Sequence, residues 1–240
     1  MLECFINQTI QEMKQLFLII LLAFVIKPYT GFAQQAEASM DLILGLPQGQ
    51  FRDEIDRIGA GIGFNIGVQP KQSPLQFGLK LGFINYGIDS RNTALSSTIP
   101  DITVRVDNNY NIFQGHLYTR IIPPSGGVRP YIEGLAGLNY LYTQTSIIER
   151  GTYEEILSDT NFDDTAFSYG FGGGMQIYLA RQRQLGSNIY LDLRANYLVG
   201  NSADYLKKGS IKIQNGRATY EVYRSSTDLL LINVGLNFTF

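Results

Sequence analysis

One histidine, His116, stands in the 240-residue chain. Imidazole is the side chain that titrates nearest neutral pH, so His116 is the default general acid–base candidate. Gln114 and Arg120 share its parity along the chain, and the structural expectation for such a group is a hydrogen-bonding role. Six charged residues sit inside alternating runs: Asp41, Lys80, Arg120, Glu133, Asp192 and Arg194. Three are acidic and three basic. Such a set can line a pore for polar solutes, or it can pair with itself and fill the space. A further cluster is acidic, with Glu154-Glu155, Asp159-Thr160-Asn161-Phe162-Asp163 and Asp164. Asp159–Asp163 matches the start of a calcium loop. The helix–loop–helix motif needs Gly next and an acidic residue at its end, and Asp164 and Gly170 stand there instead. The full motif fails. A solvated acidic loop is the main expectation, with a loose loop site as the alternative. There is no phosphate-binding loop, paired-cysteine zinc site or nucleophile elbow, and Gly170–Gly174 lies inside an alternating run. The sequence therefore assigns no catalytic, cofactor-binding or metal residue.

The elements that carry these residues read as strands. From Leu230 the closing stretch Asp228–Phe240 puts Leu230, Ile232, Val234, Leu236, Phe238 and Phe240 on one parity and Asn233, Gly235, Asn237 and Thr239 on the other. A period of two marks a strand with two unlike faces. Seven upstream runs repeat it: Ser39–Leu46, Ile58–Gln69, Leu75–Tyr86, Tyr110–Ile122, Arg129–Thr145, Thr165–Ala180 and Asn188–Val199. The second alternates Ile62, Phe64, Ile66 and Val68 with Gly59, Gly61, Gly63, Asn65 and Gly67, and the glycines suit a tightly curved inner face. Long connections, at Pro47–Arg57, Gly87–Asn109, Ser146–Asp164 and Gly200–Thr227, alternate with short turns at Pro70–Pro74, Pro123–Gly127 and Arg181–Ser187. Short turns join antiparallel neighbours, so the order is up-and-down with eight strands. Ser210–Tyr223, with Asn215-Gly216 at its centre, reads as a hairpin tip within the fourth connection. The competing reading makes it two more strands of a ten-stranded barrel.

The six charges share parity with the small and polar set, opposite the Phe- and Tyr-rich apolar set. That arrangement inverts a soluble barrel. Lys or Arg on a lipid face would cost about 2–4 kcal/mol near the midplane, whereas inside a narrow barrel they can pair. Closure also satisfies every backbone group without water. Charged residues are 17% of the chain, below the roughly 25% of a soluble domain. Mean hydropathy is near zero, as expected when only alternate residues meet lipid. The net charge of -2 argues against nucleic acid as a partner. Residues 1–33 read as a signal peptide, with Lys14, the apolar Leu16–Ile26, and Gly31 and Ala33 ahead of the cleavage point. Translation begins at Met1 or at Met13. Cys4 falls in this segment, so residues 34–240, the barrel domain, carry no disulfide.

The terminal run NVGLNFTF, ending on Phe240, resembles the closing strand of Gram-negative outer-membrane barrels. With IGAGIGFNIG, YGFGGGMQIYL and the strand rhythm, the mature chain resembles small eight-stranded barrels of the OmpA/OmpX type. The resemblance implies an all-β, eight-stranded antiparallel transmembrane β-barrel with short periplasmic turns and long extracellular loops. It places the barrel in the outer membrane of a Gram-negative bacterium. Its terminal aromatic would be read by the barrel-assembly machinery, and its partners would be outer-membrane lipids and lipopolysaccharide. The expected protein is a monomer with no cofactor and no enzymatic activity, structural or acting in adhesion or recognition through its loops. The alternatives are a small pore for polar solutes and a lipid A-modifying enzyme. Enzymes of that kind place a Ser, a His and an acid on the lipid-facing surface, whereas His116 shares the lumen parity.

Overall fold

The strong period-two runs become strands because alternation lets one face meet hydrocarbon and the other meet itself. A computed structural model describes residues 34–240 apart from 71, 97–98, 150–154, 183–185 and 215–216, and describes side chains outside 34, 91–105, 147–161 and 211–219 as well. Residues 1–33, read above as a signal peptide and including Cys4 and Met13, lie outside the described residues. The strands are β1 (Gln34–Pro47), β2 (Gly59–Pro70), β3 (Leu75–Ser96), β4 (Ile99–Ile121), β5 (Val128–Glu149), β6 (Glu155–Gln182) and β7 (Ser187–Gly200). Short strands β8 (Ser202–Tyr205), β9 (Ile211–Gln214), β10 (Arg217–Tyr220) and β11 (Tyr223–Ser226) precede β12 (Leu229–Thr239). Eight of them close in the order β1-β12-β7-β6-β5-β4-β3-β2, every pair antiparallel. The seam is the β1–β12 ladder, from Glu37↔Thr239 to Pro47↔Leu229. The Phe240 amide adds a bond to the Ala36 carbonyl at 2.8 Å.

The faces separate as the parity requires. Met40, Leu117 and Phe171 are 68%, 68% and 72% exposed outside, while Arg120 and Glu133 are 1% and 4% exposed inside. Apolar outside and charged inside is the arrangement of a transmembrane β-barrel. No helix among the described residues is long and apolar enough to cross a membrane.

The barrel has the eight strands expected, and the competing ten-stranded reading fails: β9 and β10 form their own two-stranded sheet, and β8 pairs with β11 in another. Other expectations are corrected. The supposed loops Gly87–Asn109 and Ser146–Asp164 are mostly strand. β3, β4, β5 and β6 have 22, 23, 22 and 28 residues, roughly two to three times the 9–11 that a crossing needs. Beyond the bilayer both faces of a strand meet water, so hydrophobic alternation fades while the ladder continues. The calcium-loop match shares this fate, because Asp159, Asp163 and Asp164 sit on β6 in ladder with Thr145, Tyr142 and Leu141. Tyr178 stays in ladder with Tyr190, whose buried ring it meets edge-on at 5.7 Å, and is itself 43% exposed at the turn end of β6.

The connection Pro47–Arg57 contains a helical turn, α1 (Gly49–Glu54). It buries Phe51 completely in the barrel mouth. The ring packs edge-on to Tyr205 at 5.2 Å and to Tyr86 at 6.3 Å. The β8–β11 ribbon closes over it with Ala203, Tyr205 and Leu206 buried. A Lys207–Glu54 ion pair of 2.8 Å ties ribbon to helix, and Lys207 also lies 3.8 Å from the Tyr223 ring centre. The hydrogen bond from Lys207 to Glu54 raises the lysine pKa above its ordinary value. The tie is therefore complete below the ordinary lysine pKa and is lost as pH rises through the raised one. Lys207→Gln is expected to cost less than about 1 kcal/mol, because the pair is partly exposed. Amide exchange should quicken in α1 and β8 while the barrel ladders stay protected. Equal protection in both proteins would show that the pair does not hold the cover.

Candidate functional site

All six charges singled out in the sequence meet in the lumen, and the structure adds two, Glu37 and Arg129. Each lies on an inward parity position of its strand, and the narrow cross-section brings opposite walls into contact. Glu133 on β5 is the hub. Its carboxylate accepts from Lys80 Nζ, from Arg120 Nε at 2.9 Å and from Asn196 Nδ2 at 2.7 Å, and lies 3.9 Å from Arg194 Nε. Arg120 reaches across to Glu37 at 3.0 Å and to Gln76 Oε1 at 3.2 Å. Arg194 donates to Asp41 Oδ2 at 2.7 Å and to Asp192 Oδ2 at 3.2 Å. Tyr131 donates to the other Asp192 oxygen at 2.6 Å. Asn65 donates to both Asp41 and Ser39. Nearer the short turns, Arg129 donates to Gln69 Oε1 at 3.0 Å and to the Pro123 carbonyl at 2.8 Å. In this network, among the described residues, the four acids Glu37, Asp41, Glu133 and Asp192 stand against the four bases Lys80, Arg120, Arg129 and Arg194; a further buried acid, Asp107, lies on the β4 extension.

Aromatic rings fill the spaces between these charges. The Arg120 guanidinium lies 4.0 Å from the Tyr131 ring centre and 5.0 Å from that of Tyr118. Tyr118 fits because the residues beneath it are glycines. A Cβ on Gly78 would stand 2.6 Å from its ring carbons, and one on Gly67 would strike its hydroxyl. The glycine face of β2 and β3 is thus a seat for a ring, beyond being a means of curvature. Toward the mouth the lumen turns apolar, with Ile43, Ile84, Ile112, Leu141, Leu198 and Leu231 buried beneath Phe51. The expected polar interior is correct for the lower and middle levels and incomplete for the upper one.

His116 is buried inside, with Nε2 2.7 Å from Ser168 Oγ. A serine does stand beside the histidine, but on the lumen wall. Gly137 lies between them in the ladder, opposite His116 on one side and Ser168 on the other. Among the described residues no carboxylate hydrogen-bonds the ring to orient it, and both side chains are closed off from lipid. The pair is a satisfied internal hydrogen bond. No cluster of three or more metal-ligating side chains occurs among the described residues. Glu37 escapes sequence reasoning because it precedes the apolar run that marks β1. Arg129 escapes because it abuts a turn. The signal for both was parity with Asp41 and Glu133.

No family model and no curated protein matches the sequence. Among solved structures, Neisserial surface protein A is similar at 11% identity and a TM-score of 0.41, covering 86% of this chain and 97% of its own. A major outer membrane protein from Thermus thermophilus shares 11% identity, with a TM-score of 0.43 and coverage of 85% and 99%. Outer membrane protein H from P. aeruginosa shares 14%, with a TM-score of 0.31 and coverage of 85% and 99%. At this identity the likeness is one of outline, and nothing about activity follows from it.

Proposed function

We propose that this chain is a non-enzymatic, monomeric protein of a Gram-negative outer membrane that presents the extensions of β3–β6 to a partner outside the cell. The observation that carries this reading is the contrast between a lumen crossed by side chains at every level and four strands that continue well past it. Interlocked charges occupy the lower and middle levels, side chains of the apolar level sit above them, and Phe51 stands in the mouth. An eight-stranded barrel is just wide enough for side chains to fill, which speaks against a conducting path. Meanwhile β3 and β4 stay paired out to Ser96↔Ile99, and β4 and β5 out to Val104↔Glu149. A ladder of that length beyond the bilayer makes a firm surface of the kind a recognition site requires. In this reading residues 1–33 are removed on export, the closing run of β12 and Phe240 is the segment read by the assembly machinery, and the outer belt meets membrane lipid and lipopolysaccharide.

Two measurements test it. In planar bilayers the purified barrel is expected to give no steady conductance step, and a reproducible step would transfer the protein to the pore class. Shortening the β3–β4 hairpin to its membrane portion should leave the heat-modifiable barrel intact and abolish attachment of expressing cells to a receptive surface. Attachment that survives the shortening, with the barrel folded, would remove recognition by this sheet.

A further inference from the structure

The middle of the lumen contains a cavity of about 30 Å³, bordered by Asp41, Asn65, Lys80, His116, Arg194 and Asn233. We infer that it is a binding site for an internal water that bridges Asp41 and Arg194. Space is sufficient, since a water needs roughly 10–15 Å³ of such volume and two to four polar partners. The partners are present and buried. Asp41 Oδ2 already accepts from Arg194 and Asn65, whereas Oδ1 has no hydrogen-bond partner. Gly235 in the facing strand has no side chain to satisfy that oxygen, and a Cβ there would strike it. Arg194 Nε is likewise unpartnered, since Glu133 Oε1 at 3.9 Å lies beyond hydrogen-bond reach. Both residues are at least nine-tenths buried. A buried donor and a buried acceptor left bare are each costly, and one water can accept from the first and donate to the second.

The charges around the cavity select water over an ion. A cation would meet Lys80 and Arg194, and an anion would meet the bare oxygen of Asp41. The four acids and four bases of the described network already balance, so an ion of either sign would leave an uncompensated charge in a narrow, low-dielectric space. A dipole that donates at one end and accepts at the other fits both walls.

Gly82 supplies the test. A Cβ there would stand 3.2 Å from Ile43 Cδ1 and 3.4 Å from Gln114 Oε1, both on the cavity border. Gly82→Ala therefore puts a methyl into the cavity from the Ile43 and Gln114 side, shrinking it with no charged group among its nearest contacts. In crystals of the wild-type barrel, one ordered density peak is expected within hydrogen-bond distance of Asp41 Oδ1 and Arg194 Nε. Bromide and rubidium soaks should give no anomalous signal there. In detergent solution, oxygen-17 relaxation dispersion should count one fewer long-lived water in folded Gly82→Ala than in the wild type. An anomalous peak at the site, an empty site in the wild-type map, or an unchanged water count would each overturn the inference. The crystallographic arm uses the native chain and stands even if the variant does not fold.

Discussion

Glu133→Leu is expected to destabilise the barrel by about 3–5 kcal/mol, the cost of leaving buried charge without its partner. The loss is not shared evenly. Arg120 keeps Glu37, and Arg194 keeps Asp41 and Asp192. Lys80 has Glu133 as its one ion pair among the described residues, and otherwise lies 5.0 Å from the Tyr118 ring centre, with no second carboxylate paired to it there. The ammonium is then stranded in the centre of the lumen. Adding Lys80→Met removes the stranded charge, so the double variant should recover much of the stability lost by the single one. Urea unfolding of the lipid-reconstituted proteins, arranged as a double-mutant cycle, reads this coupling directly. A single variant within about 1 kcal/mol of wild type would mean that water enters the lumen freely. The filled-barrel account would then fail together with the non-conducting function built on it.

How much of this was legible in the sequence depends on which physical contrast each residue experiences. Val68, Phe77, Leu117 and Phe171 announce themselves because lipid on one side and a polar lumen on the other force strict alternation. That contrast identified eight strands, their order, and the inward parity of six charges. It vanishes above the bilayer, so Asp107 and Asn108 on β4 look like loop although they are laddered to Ser146 and Thr145. It is also blind to height along the barrel. Leu198 and Leu231 carry the inward parity, yet as apolar residues they resemble misplaced outer ones until the cap over the mouth is known. Phe51 gave no periodic signal at all, since α1 is six residues long. Its burial depends on Tyr205, which is far away in sequence. The Ser168–His116 contact depends on two ladders at once, and pairing register is set by bulges and turns that periodicity does not encode. Parity predicts which wall a side chain faces; only closure of the barrel determines what it meets there.

The membrane reading itself is tested most sharply at Val234. It lies midway along β12 on the outer face, laddered to Leu42 on one side and Leu193 on the other, and is 44% exposed. Val234→Arg should cost about 2–4 kcal/mol for folding into a bilayer, because a guanidinium near the midplane must be dehydrated or drag water inward. On a water-facing surface the same change would fall within about 0.5 kcal/mol of neutral. Gln50→Arg, on the exposed surface of α1, is the matched control and should leave folding unchanged. Equilibrium unfolding from liposomes of saturated lipid measures both. The penalty should shrink in detergent micelles, where a charged side chain reaches water over a shorter path. Equal stability of Val234→Arg and Gln50→Arg in liposomes would mean that the apolar belt does not meet hydrocarbon. The one-residue offset sharpens the point, since Asn233, adjacent in the chain, is buried on the lumen side and 4% exposed. Two neighbouring residues of opposite chemistry point into opposite environments, and a penalty seen at Val234 but absent on the cover can come only from the lipid.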